Sequence, residues 1–229
     1  MSLDVILYQL SVWVIPVLLA ITVHEAAHGF VAWRLGDDTA YRQGRVTFNP
    51  FKHIDPFGTV LLPAVLLLIS GGRLMFGFAR PVPVNFMRLR HPRRDMVWVA
   101  AAGPGVNLAM ALVAAVLLHT VAMLPDDLGR WILQNLRNAV WINVLLAVFN
   151  MLPIPPLDGG RVAVGLLPLS LARPLARLER YGFAIIIGGV FLLPWLGRSI
   201  GVELEVFRWL VLTPAFYLSR IVLALAGVS

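Results

Sequence analysis

Apolar residues gather in six stretches of the chain, at about 3–33, 57–70, 96–124, 131–150, 183–196 and 207–226. Stretches near 20 residues or longer can cross the ~30 Å hydrocarbon core as helices, whereas 57–70 and 183–196 are short for it. No internal repeat, low-complexity tract or long linker separates them, so residues 1–229 are expected to form one helical unit. The predicted fold is an all-α polytopic membrane protein of five to six hydrophobic segments. A helix broken near 150–160 and short membrane-embedded strands complete the expectation.

The polar connections decide the topology. Residues 34–56 carry Arg34, Arg42, Arg45 and Lys52; residues 71–95 carry Arg73, Arg80, Arg88, Arg90, Arg93 and Arg94; residues 153–181 carry Arg161, Arg173, Arg177 and Arg180. The connections at 125–130 and 197–205 are short and net acidic. If 57–70 crossed fully, two basic stretches would lie on opposite sides, against the positive-inside rule. If it enters and returns, 14 of the 19 basic residues share one side. As a helix its 14 residues reach only about 21 Å, so a re-entrant excursion is the favoured reading. The N-terminus is then outside and the basic loops are cytoplasmic, in a multi-pass protein of a cell membrane.

Composition agrees: 59% of residues are apolar and 14% charged, far from the globular average. The net charge of +7, nearly all from arginine, lies between membrane segments. It therefore reads as topology and contact with lipid headgroups rather than nucleic-acid binding. The Met-Ser-Leu-Asp start has no basic n-region, so no removable signal peptide is expected. With no cysteine, a thiolate metal site is excluded, and any metal must be held by His and carboxylate.

Two further runs, Gly-Arg-Val-Thr-Phe-Asn-Pro at 44–50 and Arg-Pro-Val-Pro-Val-Asn at 80–85, read as short extended segments. Irregular backbone at membrane depth must line a cavity or be covered by protein. An exposed strand edge there offers pairing to an unwound peptide, with Val46, Val82 and Val84 as its substrate-facing side chains.

The chemistry centres on His24-Glu25-Ala26-Ala27-His28, which follows an almost wholly apolar run. Histidines at i and i+4 share one helix face and can share a zinc ion, while Glu25 can serve as base toward a water on that ion. Ionisable side chains on a membrane helix are costly and are functional by default. A catalytic zinc takes three protein ligands. Asp4, Asp37, Asp38, Asp95, Asp126, Asp127, Glu179, Glu203 and Glu205 lie at segment ends or among charges, where a solvated face accounts for them. His119 reads as an interface histidine, and His91 falls in an arginine-rich loop. Asp158 leads the candidates, because three prolines break the helix before it and two glycines after it allow close backbone approach. His53 and Asp55 remain the runners-up.

His-Glu-Ala-Ala-His at 24–28 and Asn-Met-Leu-Pro-Ile-Pro-Pro-Leu-Asp-Gly-Gly at 150–160 resemble the site-2 protease family of intramembrane zinc metalloproteases. The runs at 44–50, 53–56, 81–85 and 102–107 also look like its signatures, and the likeness covers about residues 10–165, leaving C-terminal helices at about 183–226. The match is to the small branch without PDZ or CBS domains. It implies one zinc per chain, held by His24, His28 and Asp158, with Glu25 activating the water. It implies that Asn150 helps hold the substrate backbone or the developing oxyanion, and that Asn107 lies near the site as a support or substrate contact. The implied activity is regulated intramembrane proteolysis of transmembrane proteins or signal-peptide remnants in the lipid bilayer.

Buried His and Asp also mark ion pathways, so a metal-dependent transporter or channel is the competing class. Such proteins often show repeated halves, absent from this sequence, and have no need of a glutamate beside the first ligand. Substrate identity and oligomeric state are not written in the sequence.

Overall fold

The computed structural model describes residues 2–62, 65, 68, 77 and 79–228, whose regular elements are all helices, with no strand among the described residues. Helix α1 spans Leu3–Arg34 and the short α2 Thr39–Arg42. They are followed by α3 at Pro92–Leu117, α4 at Asp126–Asn150 and α5 at Asp158–Leu166. Then come α6 at Leu169–Arg177, α7 at Gly182–Ile187, α8 at Leu193–Ser199 and α9 at Thr213–Leu225. Five stretches are long and apolar enough to cross a membrane: Leu3–Arg34, Pro92–Met123, Asp126–Asn150, Leu169–Ser199 and Arg208–Leu225. The fourth is longer than the 183–196 core read from sequence. Tighter and wider turns join α6, α7 and α8 into one helical run that takes in Arg173, Arg177 and Arg180.

Helices α1, α3 and α4 pack on one another, and α5 packs on α3. Their contact surfaces are small or polar: Ala20, Ala26, Ala111, Ala114, Ala115 and Ala147 are buried, together with Thr22, Asn107, Asn138 and Asn143. The large apolar side chains, such as Leu7, Leu19, Trp98, Leu112 and Val113, face outward. Lipid is as apolar as leucine, so helices gain by close backbone approach and interhelical hydrogen bonds rather than by burying bulk. Side chains of α4 supply two such bonds to α1. Asn138 donates to the Val12 carbonyl (2.9 Å), and the Trp131 indole donates to Ser11 Oγ (2.9 Å). Helix α9 closes the bundle, its Ala215 and Val222 packing with Val140 and Val144.

At its C-terminus α1 turns at Gly36, whose φ of +114° is open to glycine and strained for other residues. Buried Asp37 then ties the next segment down, accepting from Thr39 and from the Asn85 N–H (2.6 Å). The strands expected at 44–50 and 80–85 do not form. Pro81 and Pro83 carry no N–H, and side chains take the backbone groups a ladder would need. The Val82 N–H donates to Glu25 Oε2 (2.7 Å), while the buried Arg45 guanidinium donates to the Arg80 carbonyl (2.7 Å). Residues 80–85 therefore form an irregular strap across α1.

Six of the 14 residues of the excursion expected at 57–70 lie outside the described residues, so its route is not described. Its first turn is capped by Asp55, whose Oδ1 accepts from the Phe57 (3.0 Å) and Gly58 (2.7 Å) N–H groups. Its flanks meet: the Arg80 N–H donates to the His53 carbonyl (2.9 Å), and Arg88 pairs with Asp38 (3.0 Å). Between α4 and α5 the three prolines run through turns. Gly159 and Gly160 lie against the backbone of Met151 and Pro155 so closely that any Cβ there would overlap it.

Candidate metal centre

His24 and His28, one turn apart on α1, turn their rings to the same side, and Asp158 reaches them from the first position of α5. All three are more than nine-tenths buried. The two Nε2 atoms are 3.1 Å apart, and Asp158 Oδ2 lies 3.2 Å from that of His24 and 3.3 Å from that of His28. Four ligands at the ~2.0–2.1 Å zinc bond length define a tetrahedron with edges of roughly 3.3 Å. The observed triangle has the size of one face.

The ring environment says which atoms are free to ligate. His24 Nδ1 lies 2.5 Å from Asn107 Oδ1, and His28 Nδ1 lies 2.7 Å from the Val99 carbonyl. Both acceptors demand a proton on Nδ1, which leaves each Nε2 with a lone pair. Asp158 Oδ2 accepts no hydrogen bond among the described residues although two ring nitrogens surround it. Three buried lone-pair sites converge with no proton between them, an arrangement that calls for a cation. Among the described residues no other group of His and carboxylate side chains brings three such atoms together.

Helix α3 shapes the other side. Val99, Gly103 and Asn107 are spaced by four and line one helix face: an acceptor for His28, a gap, and an acceptor for His24. A Cβ at Gly103 would stand 2.5 Å from His24 Cε1 and 2.5 Å from His28 Nε2. The missing side chain is the space that the rings occupy. The run at 102–107 stood out in the sequence, but the role of its glycine did not.

Glu25 is half-buried, next to the first histidine, and the Val82 N–H holds one of its oxygens. Arg45 sits nearby; burial and the neighbouring Arg80 charge lower its pKa, while Glu25 works in the opposite direction. Val46 and Val82, expected to face substrate, pack against the Cα of Gly29, and Val84 joins the cluster of Ala32, Leu89 and Val99. Asn107, also expected among substrate contacts, is fully buried with its polar atoms engaged inside the protein. Asn150 ends α4, half-buried, and its amide donates back to the Leu146 carbonyl (3.0 Å).

The runners-up go elsewhere. Asp55 is a helix cap, and the buried His53 ring bonds the Thr47 carbonyl (3.0 Å). His119 meets the Ala226 carbonyl (2.7 Å), and the exposed His91 ring lies beside Asp95. Two carboxylates assigned to a solvated face are instead buried. Asp37 holds the strap, and Asp95 accepts from the His91 N–H (2.8 Å) at the start of α3.

Comparison with known proteins adds the wider setting. The model of Peptidase family M50 matches residues 125–194. "Putative zinc metalloprotease YwhC" of Bacillus subtilis is 40% identical over 178 residues, covering 76% of this chain and 77% of that one. "Putative zinc metalloprotease Rip2" of Mycobacterium tuberculosis H37Rv is 31% identical over 191 residues, 83% of this chain and 70% of that one. Its namesake in Mycolicibacterium smegmatis is 31% identical over 170 residues, covering 74% and 62% respectively. No solved structure matches the chain.

Proposed function

The chain belongs to peptidase family M50, the site-2 protease family, and we propose that it hydrolyses peptide bonds within or near the transmembrane segments of membrane-protein substrates. The family and the five apolar helices make it a multi-pass membrane metalloprotease whose cofactor is zinc. The observation that carries the intramembrane reading is the triangle of His24, His28 and Asp158, two of whose corners stand on a helix apolar enough to span the bilayer.

In this reading His24 Nε2, His28 Nε2 and Asp158 Oδ2 hold the zinc. Bound there, zinc lowers the pKa of water and polarises the scissile carbonyl. Asn107 and the Val99 carbonyl keep both rings in the tautomer that presents Nε2. Glu25 takes a proton from the attacking water on a carboxylate oxygen and delivers it to the departing amide nitrogen. The Val82 N–H holds one oxygen of that carboxylate and fixes its direction. Asn150, at the end of α4, turns its amide from Leu146 to the substrate backbone or the developing oxyanion.

A substrate helix hides its amides in i to i−4 bonds, so it must unwind before attack, and helix-breaking residues in it help. The proline-broken stretch before Asp158 is read as a helix interruption at membrane depth, leaving room for unwound chain. Single-span proteins and signal-peptide remnants are the proposed substrates, in regulated intramembrane proteolysis. The test uses purified enzyme in liposomes with a panel of single-span peptides carrying glycine or proline at different depths. Zinc-dependent cleavage inside the span, lost on chelation and restored by zinc, is the expected result. Cleavage confined to soluble peptides would overturn the proposal.

A further inference from the structure

The two histidines are held in different ways. His28 leans on a backbone carbonyl, which has one orientation. His24 leans on a side-chain amide, which can present either oxygen or nitrogen, and only the oxygen suits a ring that must keep its proton on Nδ1. Something must therefore orient Asn107. Its Nδ2 donates to the Ala20 carbonyl (3.2 Å) and to Asn143 Oδ1 (2.7 Å). The second acceptor is another amide with the same ambiguity, and it is settled by α4's own backbone: Asn143 Nδ2 donates to the Ala139 carbonyl (2.9 Å). Donation thus runs one way, from His24 to Asn107 to Asn143 to Ala139.

We propose that Asn143 is a positioning residue for the metal site, fixing the amide of Asn107 so that His24 presents Nε2 to zinc. Asn143 is 1% exposed and its side chain is hydrogen-bonded to Asn107 and Ala139, so its route to the ligands runs through Asn107. Turning Asn107 over would set its oxygen against two acceptors, Ala20 O and Asn143 Oδ1, and its N–H groups against His24 Nδ1. Without Asn143 one of those two penalties disappears, and Asn107 gains a second orientation. The relay also spans α1, α3 and α4, so it registers three helices on one ligand.

The inference rests on zinc at His24, His28 and Asp158. The experiment measures zinc affinity by competition with a chromogenic chelator, alongside thermal stability of the zinc-free protein. Asn143→Leu is expected to weaken zinc binding about tenfold, in the range of outer-shell substitutions. Asn143→Asp, which when protonated keeps one acceptor and one donor, is expected to stay within about threefold of wild type. Asn107→Leu combined with Asn143→Leu is expected to bind no more weakly than Asn107→Leu alone. Asn143→Ala replaces Asn143→Leu if the latter does not fold. Wild-type affinity in Asn143→Leu with only a lowered melting temperature would make the residue helix glue and overturn the proposal. So would equal losses in the Asp and Leu variants, or additive losses in the double variant. Zinc affinity unchanged by Asp158→Ala would instead bring down the metal-site reading beneath it.

Discussion

Gly103→Ala adds one methyl group to this protein and is expected to empty the metal site. The added carbon would stand 2.5 Å from His24 Cε1, 2.5 Å from His28 Nε2 and 2.6 Å from His24 Nε2. Ordinary contact needs about 3.5 Å or more, so each ring or the helix itself must give way by roughly 1 Å. The rings cannot retreat alone, because each is bonded through Nδ1 to α3, at Val99 and at Asn107. Zinc bond lengths tolerate only about 0.2 Å, several times less than the shift required. Overpacking of this kind costs about 1–3 kcal/mol of stability. Zinc affinity is expected to fall by about two orders of magnitude, the upper end for disturbed ligand support. Chelator competition measures the affinity, and zinc-free thermal unfolding measures the packing cost. Gly105→Ala, whose Cβ would meet nothing within 4 Å, is the matched control and should bind zinc normally. Gly103→Ala protein with wild-type zinc affinity would refute the packing argument.

Three other outcomes follow from the geometry. Glu25→Gln should lose at least about 100-fold in cleavage rate while keeping zinc, since it removes a base and no ligand; retained cleavage would exclude the base assignment. Asp158→Ala should lose both zinc and activity, whereas Asp55→Ala, at a helix cap, should cost about 1 kcal/mol of stability and leave zinc in place. Metal analysis with the opposite result would move the third ligand. Single cysteines at Thr47 and Arg90 should label from the same membrane face with an impermeant thiol reagent, because the segments carrying them are hydrogen-bonded together. Labelling from opposite faces in active protein would contradict that arrangement.

How much could be read beforehand differs from one feature to another. The long apolar runs announce membrane helices because nothing else tolerates them. The pairing of His24 with His28 is local, set by helix periodicity, and Asp158 declares itself through the prolines and glycines around it. The support along α3 is different. Val99 contributes only a backbone atom and Gly103 only an absence, neither of which leaves a chemical mark in a sequence. Asn143 is one asparagine among several on α4 until its partners are known. The strap misled for a physical reason: prolines that extend a chain also strip it of donors, so Pro81 and Pro83 suggest a strand and then prevent one. Asp37 and Asp95 looked like surface charges because a buried carboxylate fed by backbone N–H groups has no sequence pattern distinguishing it from a solvated one.

The metal triangle draws on parts of the chain made at different times. Asp158 lies 130 residues after His28, so on a ribosome it is added roughly 7–26 s later at ~5–20 residues per second. Throughout that interval α1, α3 and α4 can enter the membrane while the third corner of the site does not yet exist. A nascent chain therefore carries the paired histidines and Glu25 into the bilayer before the carboxylate that completes the triangle has been made. The triangle closes late in synthesis, once α5 packs against α3. Delay is built into the spacing of the three residues along the chain.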